Sequence, residues 1–82
     1  MQKQKLKTIE YTYTAMYEPI KEGGYTVIVP ALTGLVTYGR TFEEAQMMVR
    51  DAIICHLEAM EKDDEEIPQE ASVVQEKVSI RF

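Results

Sequence analysis

Cys55 and His56 are the only cysteine and the only histidine in the chain. They are its one candidate pair for nucleophilic or metal chemistry. They are consecutive, in a stretch whose apolar spacing predicts a helix. Neighbours on a helix point about 100° apart, so the two side chains cannot meet as thiolate and base. One of each is also too few for a His/Cys metal cluster. A two-metal nuclease site would need several acids projecting from strands into one pocket, and only Glu10 and Glu76 fall on predicted strands. Gly23-Gly24 is not followed by the spacing of a phosphate-binding loop. Tyr11, Tyr13, Tyr17 and Tyr25 could stack on bases, or anchor a core or an interface with a wet hydroxyl. The negative charge and the lack of interleaved arginine favour the second use. No catalytic residue, cofactor-binding residue or metal ligand is assigned, and the chain is not expected to be an enzyme.

The 82 residues leave room for one domain, taken as 1–82. A chain this short buries only about 60–65% of the surface its unfolded form exposes, and such cores are usually reinforced. A lone cysteine forms no internal disulfide and fits a reducing compartment. Self-association is the remaining support, so a homo-oligomer is expected. The 9 basic and 14 acidic residues give a net charge of −5, the wrong sign for a nucleic-acid-binding face. The charge is also uneven. Lys3, Lys5 and Lys7 make the start basic, whereas Glu58 to Glu70 carries seven acids against Lys62 alone. Such a run is either a solvated helix end or a docking surface for a basic partner. Asp63, Asp64, Glu65 and Glu66 are its densest part and the candidate partner-facing residues. Met1–Glu10 has no apolar core of a signal peptide, and no stretch approaches the ~20 apolar residues of a membrane helix. A cytoplasmic protein without membrane contact is expected.

Residues 1–7 are polar and read as flexible. Residues 8–17 alternate, with Ile9, Tyr11, Tyr13, Ala15 and Tyr17 on one face of a predicted strand. A turn at 18–24 contains Pro19 and Gly23-Gly24. Tyr25–Val29 is a second strand, apolar enough to be central and covered on both faces. Leu35–Tyr38 is a third, closed by Gly39. Thr41 and Glu44 fit a capping box, in which the Glu44 carboxylate returns a bond to the Thr41 N–H. The helix that follows has an apolar stripe at Ala45, Met48, Val49, Ala52, Ile53, His56, Leu57 and Met60. Met47, Ile54 and Cys55 lie off the stripe and are candidate oligomer contacts. The helix frays within Glu61–Glu66, residues 63–72 form an acidic linker, and 73–82 make a last strand. That strand has Val74, Val78, Ile80 and Phe82 in one parity, with Glu76 as the exception, and could return to a sheet edge or swap onto a neighbour. The order is β-β-β-α-β, an α+β fold with an antiparallel sheet and one helix packed on one face.

The stretch GGYTVIVPALTGLVTYGRTFEEA, residues 23–45, resembles the HicB-like antitoxin family. The shared positions are Gly23, Gly24, Tyr25, Val27, Pro30, Leu32, Gly34, Thr37, Gly39, Thr41, Glu43, Glu44 and Ala45. The helix, the acidic turn and Ile67-Pro68 extend the likeness over nearly the whole chain. Ala31, Thr33, Leu35 and Arg40 depart from the family pattern, which has Asp, Pro, Cys and Asp there. Most shared residues are structural: Gly23 and Gly24 for the turn, Gly34 and Gly39 for backbone freedom, Thr41 and Glu44 for the cap. The resemblance implies a partial ribonuclease-H-like fold without catalytic acids. It implies a type II toxin–antitoxin role, in which the protein sequesters a small basic RNA-cleaving toxin of the HicA kind by steric masking. Longer relatives carry a C-terminal DNA-binding domain for which 82 residues leave no room, so direct DNA binding is not expected. The alternative is a solitary self-associating structural or regulatory domain with no toxin.

Overall fold

The computed structural model describes residues 9–72 and 74–82. The expected flexibility of residues 1–7, the basic Lys3, Lys5 and Lys7, Thr8 of the first predicted strand and Val73 of the last lie outside that range. Three short strands, β1 (Met16–Pro19), β2 (Tyr25–Ile28) and β3 (Val36–Gly39), precede one long helix, α1 (Phe42–Lys62). They form an antiparallel sheet in the order β1-β2-β3.

The β1–β2 hairpin forms because the Gly-Gly pair can turn the chain. Ile20 N–H donates to the Gly24 carbonyl at 2.9 Å and Gly23 N–H to the Ile20 carbonyl at 2.8 Å. Gly24 sits at φ +91°, where a side chain is strained, and a Cβ there would lie 2.5 Å from the Tyr38 hydroxyl. β1 starts later than its alternation predicts and runs through Pro19. Pro19 is tolerated because β1 is an edge strand and needs fewer ladder donors. Residues 9–15 pair with no strand, yet their alternation persists. Tyr13, Ala15 and Tyr17 pack against the core, while Thr12, Thr14 and Met16 are exposed.

Val27, Val29, Leu32, Leu35, Ala45 and Val49 form the buried core. It lies between the sheet and α1, with Ala52, Ile53 and Leu57 packed around it. β2 is central, as its composition predicts, but only one of its faces is covered. Val27 is fully buried, whereas Thr26 and Ile28, of opposite parity, are half-buried on the far side. Met48, placed on the predicted stripe, is exposed instead.

Thr41 caps α1 by accepting the Glu44 N–H at 3.0 Å, a contact that contributes about 1 kcal/mol. The return bond differs from the expected capping box. The Glu44 carboxylate accepts the N–H of Arg40, at 2.7 Å, not that of Thr41. The Arg40 guanidinium also approaches that carboxylate, at 3.5 Å. This cation draws the carboxylate one residue outward. Phe42 then packs on Tyr17 and Tyr25, with ring centroids 4.8 and 5.6 Å away. The helix start is thereby pinned to the sheet.

The last predicted strand is not part of this sheet: residues 74–82 form no strand and are all exposed. Strand pairing needs a neighbouring edge, and among the described residues this segment pairs with none. The Cα extents are 66 × 28 × 20 Å and the radius of gyration is 16.4 Å. A compact chain of this length would measure about 12 Å, so the molecule is elongated.

Candidate protein-binding surface

The candidate surface begins where α1 ends. Asp63 N–H donates to the Ala59 carbonyl at 3.0 Å, Asp64 N–H to Glu61 at 3.1 Å, and Glu65 N–H to Met60 at 2.8 Å. Asp64 takes φ 61°, a left-handed conformation that Asp and Asn tolerate better than most residues. This turn leaves Asp63, Asp64, Glu65 and Glu66 exposed, as are Glu58 and Glu61 on the preceding helical turns. The run lies at the negative end of the helix dipole, with Lys62 the only basic residue in the last turn. Acids there oppose the macrodipole and repel one another, so the run does not serve helix stability.

Beyond the turn, the chain comes back to the start of the sheet. The Tyr13 hydroxyl donates to the Pro68 carbonyl at 2.6 Å. Partial burial, with Tyr11 and Glu70 nearby, raises its pKa above the usual 10.0 and keeps it a donor. The Glu70 carboxylate receives two bonds from Thr14, one from the hydroxyl at 2.5 Å and one from the backbone N–H at 2.7 Å. The hydroxyl bond first, and the N–H bond second, hold the Glu70 carboxyl below its ordinary value of 4.5. The sequence, with Glu70 in an acidic linker, foreshadows neither contact. The parity of Thr14 in the alternating 9–17 stretch was the available signal.

Because the folded pKa is depressed, this latch contributes stability above pH 4.5 and loses it as pH falls through the lowered folded value. In an NMR titration, the Thr14 amide is expected to report a midpoint below 4.5. A midpoint at or above 4.5 would remove the latch.

Among the described residues, α1 and the sheet each expose an apolar region. On α1, Met47, Ile54 and Cys55 are exposed, which is where the helical spacing puts them. On the sheet, Met16, Ile28 and Val36 form one row across the three strands by register, with Tyr38 two residues along β3. Val36 is 59% exposed and Tyr38 45%. A cleft lined by Thr14, Met16, Pro30, Ala31, Pro68 and Glu70 opens beside this row. Cys55 is exposed and His56 half-buried. Among the described residues no three His, Cys, Asp or Glu side chains gather as a metal site, and no helix is long and apolar enough to cross a membrane. Gly23, Gly24 and Gly34 take positive φ, at 117°, 91° and 82°, and Gly39 lies buried against Ala45. All four serve the loops and the helix–sheet contact.

The family model described as the HicB-like antitoxin of bacterial toxin–antitoxin systems matches residues 13–81. The chain belongs to the HicB-like antitoxin family. Among its relatives, Antitoxin HicB 1 of Photorhabdus laumondii is 39% identical over 75 residues. That alignment covers 92% of this chain and 47% of the relative, so the chain spans about half of that HicB antitoxin's length. A UPF0150 protein of Thermoplasma acidophilum is 38% identical over 58 residues, covering 71% of this chain and 84% of that protein. A UPF0150 protein of Synechocystis is 34% identical over 64 residues, covering 78% and 81%. The HicB-like match includes the loops, α1, the acidic turn and the exposed segment 74–81.

Proposed function

We propose that this HicB-like chain is a non-enzymatic antitoxin module that sequesters a small basic, RNA-cleaving toxin of the HicA kind in the cytoplasm. Masking is steric, on a partial ribonuclease-H-like frame, and Asp63, Asp64, Glu65 and Glu66 steer the basic toxin to its place. The observation that carries this reading is the exposed acidic turn at the wrong end of a helix dipole, in a member of an antitoxin family. Those acids gain nothing from the helix and suit a cationic partner. Met47, Ile54 and Cys55 are open for contact with a second subunit, in keeping with a homo-oligomer of single-domain chains. Direct DNA binding is not part of this reading, because the net charge is −5.

Retention of a stoichiometric small basic protein by the tagged chain, released by salt, is the expected result of a pull-down from native lysate. Recovery of the chain alone would favour the solitary self-associating domain. With the partner in hand, the variant Asp63→Asn, Asp64→Asn, Glu65→Gln, Glu66→Gln is expected to associate about tenfold more slowly at low salt. Its rate should also depend less on ionic strength. The variant should be no less stable than the parent, since the removed charges opposed the dipole. An unchanged association rate in stopped-flow mixing would take the acidic run out of the mechanism.

A further inference from the structure

We propose that two copies of this chain associate by exchanging residues 74–82, each arm lying across the uncovered sheet face of the other. The arm has the pattern of a half-buried strand. Val74, Val78, Ile80 and Phe82 share one parity, interrupted only by Glu76, against Gln75, Lys77, Ser79 and Arg81 on the other. All of these side chains are exposed in the single chain, Val74 at 92%. The sheet has the complementary deficit. Met16, Ile28, Val36 and Tyr38 line a face on which, among the described residues, no helix or strand packs. One chain thus carries two unpartnered apolar surfaces that do not meet each other.

The route of the chain says why they meet between copies. Tyr13 and Thr14 fasten Pro68 and Glu70 at the edge of the sheet, and Gln75 lies at the cleft beside Met16 and Pro30. Closing onto its own sheet would require a reversal directly after Glu70. The sequence there, residues 71–74, includes neither glycine nor proline, the usual reversal residues. Nine extended residues reach about 30 Å, while three strands span only about 10 Å between the outer two. The arm is therefore long enough to cross to a second copy and cover its face. A two-fold pair satisfies both faces and both arms at once. Glu18, on the same face at the β1 edge, provides an acid for Lys77 or Arg81 at the rim. These surfaces are separate from the acidic turn, so the exchange does not depend on the toxin.

Sedimentation equilibrium of the full chain, under reducing conditions that keep Cys55 from cross-linking, is the test. The parent chain is expected to be dimeric. An arm variant (Val78→Asp with Ile80→Asp) and a face variant (Val36→Asp) should each dissociate at least about tenfold more readily. Their circular dichroism should be unchanged, because the substituted side chains are exposed in the single chain. An equimolar mixture of the two variants should form cross-dimers, since one intact arm then meets one intact face. A monomeric parent chain overturns the proposal, whether the arm closes on its own sheet or the face receives another protein. Dimers indifferent to the arm variant, or a mixture that forms no cross-dimers, overturn it as well.

Discussion

Replacing Gly39 by alanine is expected to destabilise the fold by about 3 kcal/mol, near the upper end of ordinary overpacking. Gly39 ends β3 and is buried where the first turn of α1 crosses the sheet. A Cβ there would lie 2.3 Å from the Ala45 backbone nitrogen, 2.4 Å from its Cα and 2.8 Å from its Cβ. The obstruction is mostly helix backbone, so no rotamer change relieves it. The helix must tilt or shift away, and that opens the Val27–Ala45–Val49 contact at the centre of the core. Small domains lose roughly 4–8 °C of Tm per kcal/mol, so a fall of about 12–24 °C is expected by calorimetry. Gly34→Ala provides the contrast. A Cβ at Gly34 meets nothing within 4 Å, leaving only the strain of its φ of 82°, about 1–2 kcal/mol. Equal losses at the two positions would mean that helix–sheet distance is not what Gly39 sets.

Leu32→Ala is expected to cost about 3–4 kcal/mol, in the middle of the range for buried leucine truncations. Leu32 belongs to the loop between β2 and β3, yet it is the largest fully buried side chain. The loop is held around it by three backbone bonds. Val29 N–H donates to the Leu35 carbonyl at 3.2 Å, Leu32 N–H to Val29 at 3.0 Å, and Leu35 N–H to Leu32 at 3.0 Å. Truncation leaves a cavity that this closed loop cannot easily collapse into, so the cavity cost adds to the lost transfer energy. Total stability for a domain of this size lies toward the low end of about 5–15 kcal/mol. The variant should therefore unfold at a much lower urea midpoint with an unchanged slope. A shift below about 1 kcal/mol would show that the loop repacks freely.

The two residues differ in how visible they are beforehand. Leu32 and Gly39 both stand in the stretch that carries the family resemblance, but nothing local says that a loop leucine is buried deeper than any strand residue except Val27. Thr41, by contrast, is legible at once, because a cap depends on residues three apart. The Glu44 return bond departs from the expected one for the same reason in reverse. Arg40 is adjacent in sequence, but only the folded turn brings its N–H and guanidinium to one carboxylate. Glu70 and Thr14 are 56 residues apart, a separation over which periodicity carries no information.

What the sequence determined by itself is the local and the periodic. Alternation at 13–17 selected the core-facing side of the first segment, and the three- and four-residue spacing from Ala45 to Leu57 selected the buried side of α1. Charge counting located the acidic turn, and the spaced glycines, Pro30 and the cap identified the family. What only the tertiary structure decided is where those pieces meet. The length of β1, the single covered face of the sheet and the Thr14–Glu70 latch depend on contacts between distant segments. So does the fate of residues 74–82, whose alternating pattern specifies a strand but not its neighbour. A strand's side-chain period is a property of its own residues, whereas its hydrogen-bonding partner must be supplied by another edge. Among the described residues of one copy, no strand pairs with residues 74–82.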